Sequence, residues 1–113
     1  MASLVRRIRA DAKVEQREED RREQHRALLE AARAGDRKAA GSVIQAVGGL
    51  IWQRVRSYPN LSQADREDMS ADVRLALFSR AIPKWDPLRG TSWVSYAAWW
   101  IWASCTRWLE DHA

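Results

Sequence analysis

The chain has 113 residues, with 19 basic and 15 acidic side chains and a formal net charge of +4. This is the length of one small domain, and its single cysteine excludes both a disulfide framework and a cysteine-based zinc site. The longest stretch without charged residues, 90–106, is shorter than a membrane span and begins with polar side chains. We therefore predict a cytoplasmic protein with no membrane segment, no metal and no cofactor.

The first third of the chain is dense in charge and poor in large apolar side chains. Opposite charges such as Glu18 and Arg22 fall at helical spacing, which predicts a solvated helix over residues 11–34. We interpret residues 1–27 as a charged N-terminal helix that is frayed at its start, and residues 28–113 as the folded domain. A charged helix without a partner accounts for this pattern.

Apolar residues at three- and four-residue steps predict a second helix over residues 37–57. Asp36 is its predicted N-cap, and Pro59 favours its end because the residue before a proline avoids helical geometry. Gly48 and Gly49 lie inside this helix. They mark either an interruption or a close helix crossing.

Two more helices are predicted from their caps. Ser62 begins the third helix and Pro83 stops it, and a loop rich in proline and glycine follows as far as Gly90. Thr91 or Ser92 caps a last helix that runs almost to the end of the chain. No stretch alternates with a period of two, so we predict an all-α fold, a compact helical bundle.

The sequence offers no catalytic chemistry. No histidine stands in a triad-like arrangement with a nucleophile, and no glycine-rich loop precedes a helix as a phosphate cradle requires. We predict that the protein is not an enzyme.

Five of the seven tryptophans lie between residues 93 and 108. At 100° per residue they cannot all occupy one buried face of a helix, so some are exposed or contact a partner. Basic residues bracket the cluster: Arg80, Lys84, Arg89 and Arg107. Rings flanked by cations are typical of surfaces that bind single-stranded nucleic acid. The alternative is a central helix that is packed on all sides.

An acidic ridge is predicted on the third helix. Asp65, Asp68 and Asp72 are spaced at i, i+3 and i+7 and share one face. Attraction to the positive end of the helix dipole explains the first two, whereas Asp72 lies too far along the helix for that effect. A surface that docks another protein would explain all three.

The order of motifs in residues 61–111 resembles region 2 of the bacterial sigma-70 family of transcription factors. The residues that carry the resemblance are Lys84-Trp85-Asp86-Pro87, Arg89-Gly90, the run from Trp93 through Tyr96, Ala97, Trp99 and Trp100 to Ile101, and Thr106-Arg107. Two positions depart from the family pattern, because Trp102 and Ala103 stand where the family has arginine and glutamine.

The resemblance implies a region 2-like bundle over residues 28–113 that binds the clamp helices of the β′ subunit of the RNA polymerase core. The implied polymerase contacts are Asp65, Asp68 and Asp72. It also implies melting of promoter DNA, with a base of the non-template strand flipped out of the minus-ten element. The implied DNA contacts are Trp85, Asp86, Arg89, Trp93, Ser95, Tyr96, Trp99, Trp100, Thr106 and Arg107.

The family's helix-turn-helix region for the minus-thirty-five element is not among the 113 residues. We therefore expect a second protein subunit to recognise upstream DNA, as in split sigma factors of phages or in two-protein activators of gene-transfer-agent clusters, acting at a bacterial nucleoid. Two alternatives remain open. One is a decoy that binds polymerase without promoter readout, and the other is a helical protein-interaction domain that binds no nucleic acid.

Overall fold

The computed structural model describes residues 2–113, in which all regular elements are helical and no strand occurs. The all-α prediction is therefore confirmed. The elements are α1 (Ala2–Arg33), α2 (Arg37–Ala46), α3 (Gly48–Ser57), α4 (Gln63–Ala76), a π-helical turn (Leu77–Ala81), α5 (Ile82–Lys84), a 3₁₀ turn (Pro87–Arg89) and α6 (Trp93–Asp111). No helix among residues 2–113 combines the length and the apolar character needed to cross a membrane.

Helices α2, α3, α4 and α6 enclose one apolar core, which α1 closes with its C-terminal end. The large side chains that are fully buried are Leu29, Val43, Val47, Ile51, Val55, Met69, Val73, Leu77 and Cys105. A long-range hydrogen bond fixes α6 to α2, because the indole Nε1 of Trp93 donates to the backbone oxygen of Val43 over 2.9 Å. This bond holds the N-terminal end of α6 in the core.

Helix α1 is regular from Ala2, within the charged N-terminal helix predicted over residues 1–27 and before the solvated helix predicted to begin at residue 11. Every described residue before His25 is exposed, whereas Leu29 is fully buried. The predicted domain boundary between residues 27 and 28 thus falls inside one continuous helix, close to where α1 begins to contact the core. The exposed part of α1 is a solvated charged helix, as expected.

The predicted second helix is divided into α2 and α3. Asp36 caps α2 as predicted, since its side chain accepts a hydrogen bond from the backbone N–H of Ala39 over 3.1 Å. The break is at Val47, whose φ of −106° and ψ of 11° are not helical. The interruption therefore occurs directly before the Gly48-Gly49 pair.

Helix α4 begins with a capping box, because Ser62 and Asp65 each accept a hydrogen bond from the other's backbone N–H. The prediction that Pro83 stops this helix is wrong. Proline lacks an N–H and its ring clashes with the carbonyl four residues earlier in a regular α-helix. The wider π-helical turn, in which Ile82 donates to the carbonyl of Leu77, comes just before the proline and lets the chain continue helically to Lys84.

Candidate functional site

The three carboxylates of the acidic ridge lie on one helix, as predicted, but they differ in their partners. Asp65 belongs to the capping box of α4. Asp68 accepts a hydrogen bond from the indole Nε1 of Trp108 over 2.9 Å, and its Oδ2 lies 3.7 Å from Nε2 of His112. Asp72 is exposed and forms no ion pair among residues 2–113. Of the three carboxylates, it is the one whose oxygens accept no hydrogen bond and form no ion pair within residues 2–113.

A groove of about 190 Å³ runs beside Asp72 between α4 and α6. Both signs of charge line it, with Arg80 and Arg107 facing Asp72 and Asp111. Its outer part carries the apolar side chain of Leu75, and Phe78 follows one turn later; both are exposed. The exposure of these two side chains was not predicted from the sequence. The sequence signal for their exposure is that both lie off the apolar stripe that Met69, Val73 and Leu77 form along the helix.

Helix α6 is not packed on all sides, so that alternative is wrong. Its buried stripe consists of Trp93, Ala97, Ile101, Cys105 and Trp108. Trp99 and Trp102 are 59% and 48% exposed, and Trp100 is half-buried. The prediction that one buried face cannot hold all the rings is confirmed.

The first two turns of α6 carry a connected set of aromatic rings. The Tyr96 ring centroid lies 6.0 Å from that of Trp93 and 6.4 Å from that of Trp100, and Trp99 meets Trp100 edge to face at 5.3 Å. The hydroxyl of Tyr96 donates to the backbone oxygen of Ala81 over 2.7 Å, which fixes the ring against the π-helical turn. The array therefore has one held ring, Tyr96, and one freely exposed ring, Trp99.

A cation flanks this array. The Nζ atom of Lys84 lies 5.6 Å from the centroid of the Trp100 ring. An ammonium at this distance is attracted to the negative face of an aromatic ring. Of the four predicted flanking cations, Lys84 lies beside a ring, whereas Arg80 and Arg107 line the groove beside Asp72.

The loop before α6 and the first turn of α6 present three further predicted DNA contacts on the surface. The side chain of Asp86 accepts from the backbone N–H of Leu88 over 2.9 Å and lies 3.9 Å from Nε of Arg89. Gly90 follows with a positive φ of 71°, a conformation that costs glycine little. Ser92 caps α6 by accepting from the N–H of Ser95 over 3.2 Å, and its hydroxyl also bonds that of Ser95. Asp86, Arg89 and Ser95 are all exposed.

Two of the predicted DNA contacts are buried, which does not fit the predicted role. Trp85 and Trp93 are 6% and 2% exposed, so neither ring is free to stack on a base in this structure. The reason is that tryptophans supply core volume in a chain with a single phenylalanine. Trp85 nevertheless keeps a buried Nε1 atom without a hydrogen-bond partner, and both rings border a cavity of about 230 Å³ beneath α1.

Thr106 and Arg107 lie in the second half of α6, away from the ring array. Arg107 is exposed and lines the groove beside Asp72, whereas Thr106 is half-buried close to the hydroxyl of Tyr58. Burial raises the pKa of Tyr58, and the nearby charge of Arg54 and polar side chain of Thr106 oppose that rise. The structure therefore separates these two predicted DNA contacts from each other by about a quarter turn of the helix.

Among residues 2–113 no group of histidine, cysteine and carboxylate side chains is arranged to hold a metal ion. The surface instead has two parts on different helices. Exposed acidic and apolar side chains lie on α4, and exposed aromatic and basic side chains lie on α6 and the loop before it. Such a division suits a protein that contacts another protein and a nucleic acid at once.

Comparison with known protein families agrees with this geometry. The family model for Sigma-70 region 2 matches residues 43–113, well over half of the chain. The protein belongs to the sigma-70 region 2 family, and it has that domain's general role of binding RNA polymerase and recognising promoter DNA. A search of curated proteins gave no match to the sequence.

Proposed function

We propose that this protein is a transcription initiation module in which α4 binds the clamp helices of the β′ subunit while α6 and the preceding loop bind and melt the minus-ten element. The observation that carries the proposal is the separation of charge between the two helices. Carboxylates line the exposed face of α4, whereas no acidic residue occurs from Pro87 to Leu109. The aromatic surface of α6 is therefore free of carboxylates as far as Leu109, which suits the phosphates of DNA, and Asp86 is the one carboxylate in the loop before it.

On the polymerase side, the proposal assigns the main charged contact to Asp72. Asp65 and Asp68 already accept hydrogen bonds inside the chain, whereas Asp72 is exposed and free to pair with a cation of the partner. The exposed Leu75 and Phe78 beside it add apolar area of the kind found at the centre of protein interfaces. A basic and partly apolar helical surface would complement this face.

On the DNA side, the proposal relies on Tyr96, Trp99 and Trp100. Flipping a base out of a duplex costs a few kcal/mol, which stacking on a protein ring and hydrogen bonds must offset. Stacking is worth about 1–3 kcal/mol per base. Asp86 and Arg89 lie in the loop that leads into α6, 3.9 Å apart, and offer a hydrogen-bond acceptor and a cation to a flipped nucleotide.

Co-purification with bacterial core RNA polymerase tests the polymerase contact. We expect the wild-type chain to be retained, and Asp72→Arg to lower retention by roughly tenfold or more. Glu67→Arg is the matched control, because it makes the same change of charge on another face of α4, where Glu67 accepts a hydrogen bond from Gln63. Equal retention of the two variants and the wild type would contradict the assignment.

A decoy function is the second candidate, and the burial of Trp85 and Trp93 favours it. A decoy would bind polymerase and yet fail to open promoters. Permanganate modification of unpaired thymines in a promoter discriminates between the two functions. Reactive thymines in the minus-ten element support initiation, and retention on polymerase without reactive thymines supports the decoy.

The proposal also includes a second protein that recognises upstream DNA, and action in the cytoplasm at the nucleoid. Its support is that the family match is to region 2 of a sigma factor. No catalytic step forms part of the proposal. Two results together test this part. One additional protein should be recovered with the polymerase-bound chain, and the chain should no longer bind promoter DNA when that protein is removed.

A further inference from the structure

Two exposed tryptophans occupy successive turns of α6. Trp99 and Trp102 are three residues apart, so their Cα atoms are about 4.5 Å apart along the helix axis and their side chains leave it about 60° apart. They are the two tryptophans with exposed side chains among residues 2–113. Trp102 occupies a position that the sequence analysis did not count among the DNA contacts. Large exposed rings in a small protein mark a binding surface.

A groove of about 210 Å³ connects this part of α6 to α3. Ala98 and Ile101 of α6 line it on one side, and Leu50, Gln53 and Arg54 of α3 line it on the other. Trp102 is not among the lining residues, but it follows Ile101 directly and lies one turn after Ala98, so it projects from α6 next to the groove. Burial raises the pKa of the Cys105 thiol, and the charge of Arg54 partly opposes that rise, as expected for a guanidinium that lies beside α6.

The charge around this groove has one sign. No aspartate or glutamate occurs from Arg37 to Ala64 or from Pro87 to Leu109. Neither α3 nor α6 as far as Leu109 therefore carries a carboxylate. Arg54 forms no ion pair with a carboxylate of residues 2–113. With Lys84 beside Trp100, cations therefore lie on both sides of the Trp99–Trp102 rings.

Cations on both sides of exposed rings fit single-stranded nucleic acid better than a protein partner. The bases of a single strand stack on the rings, and the phosphates on either side meet the cations. We propose that Trp102 and Arg54, together with Trp99, bind single-stranded DNA across the outer face of α6 and into the α3–α6 groove. This inference rests on the proposed function, since it extends the path of the melted strand beyond Tyr96 and Trp100.

Fluorescence anisotropy of a labelled single-stranded oligonucleotide, titrated with the full chain, tests the inference. We expect Trp102→Leu to weaken binding roughly tenfold and Trp102→Phe, which keeps a ring, to weaken it much less. We expect Arg54→Gln to weaken binding and to reduce the steepness of the salt dependence by about 0.7, the value for one lost phosphate contact on a single strand.

Arg56→Gln is the matched control. It removes the same charge from the same helix, but Arg56 lies over Trp52, 5.7 Å from the ring centroid, and not in the groove. We expect it to bind like the wild type. We expect each variant to remain folded, because Trp102 is exposed. Thermal melting followed by circular dichroism checks this.

Two results would overturn the inference. If Trp102→Leu and Arg54→Gln bind like the wild type while Trp99→Leu binds weakly, the strand does not cross α6, and the proposed function stands without this extension. If the wild-type chain binds no oligonucleotide, both DNA proposals fail, and the exposed rings then belong to a protein contact. Polymerase retention, measured separately, is unaffected by either result.

Discussion

The indole of Trp108 and the carboxylate of Asp68 join α6 to α4 through one hydrogen bond of 2.9 Å. The ring of His112 stacks on Trp108 at a centroid distance of 3.8 Å and brings its Nε2 to 3.7 Å from the same carboxylate. Asp68 is thus both a structural acceptor and part of the acidic face proposed to bind polymerase. Its side chain remains more than half exposed, so the two roles are compatible.

Two substitutions at Asp68 separate these roles. Asp68→Ala leaves the nearly buried Trp108 without its acceptor and should lower the free energy of unfolding by about 1–2 kcal/mol. Asp68→Asn keeps an oxygen that accepts the bond and should cost clearly less. Urea titration measures both values, and polymerase retention of the folded Asn variant then reports the effect of the charge alone. Equal destabilisation by the two substitutions would show that the hydrogen bond contributes little.

The sequence predicted the helices well because their caps and apolar periods are local signals. The caps Asp36, Ser62 and Ser92 all form the predicted hydrogen bonds. It could not predict the course of the chain at Pro83, because a π-helical turn depends on how α4 packs against its neighbours. The exposed start of α1 was predicted as a frayed part of a charged helix, whereas the helix is regular from Ala2, since charge patterning does not set where a solvated helix begins.

The candidate site was predictable at the level of motifs but not of individual rings. Motif order placed the rings on α6 and the carboxylates on α4. Periodicity alone does not show which rings an adjacent helix covers, and α1 and α2 cover Trp85 and Trp93. The bond between Asp68 and Trp108 joins residues 40 positions apart, and no local signal indicates it.

Cys105 should be unreactive in the folded protein. Its side chain is fully buried, and burial raises the pKa of the thiol to about 11 despite the opposing charge of Arg54. At about pH 8, three units lower, roughly one thiol in a thousand is ionised, and that thiolate is shielded from reagents. Ellman's reagent should therefore react slowly in buffer and fast in urea. Fast reaction of the folded chain would contradict the packing of α6.

His25 should make the protein less stable in mild acid. Burial, followed by the charge of Arg21, lowers the pKa of His25 below its ordinary value of 6.5. The unfolded chain then binds a proton more readily than the folded one, so the free energy of unfolding falls as the pH drops through 6.5. We expect His25→Gln to show a smaller loss of stability between about pH 7.5 and about pH 5.5 in urea titrations. His112 and all carboxylates are the same in both proteins, so the difference reports His25.

Tyr96 should be required for promoter opening but not for polymerase binding. Its ring lies between Trp93 and Trp100 on α6, far from the exposed carboxylate of Asp72 on α4, and its hydroxyl bonds the backbone oxygen of Ala81. Tyr96→Ala removes the ring on which a flipped base would stack, so permanganate-reactive thymines should disappear while retention on polymerase is unchanged.

Tyr96→Phe separates the ring from the hydroxyl. It keeps the stacking surface and loses the bond to Ala81, so it should lower the free energy of unfolding by about 1 kcal/mol and still open promoters. Loss of opening in both variants would place the function in the hydroxyl and the π-helical turn that it contacts. Normal opening by Tyr96→Ala would show that the flipped base does not stack on this ring. Tyr96 is the ring of the array that a hydrogen bond holds against the π-helical turn.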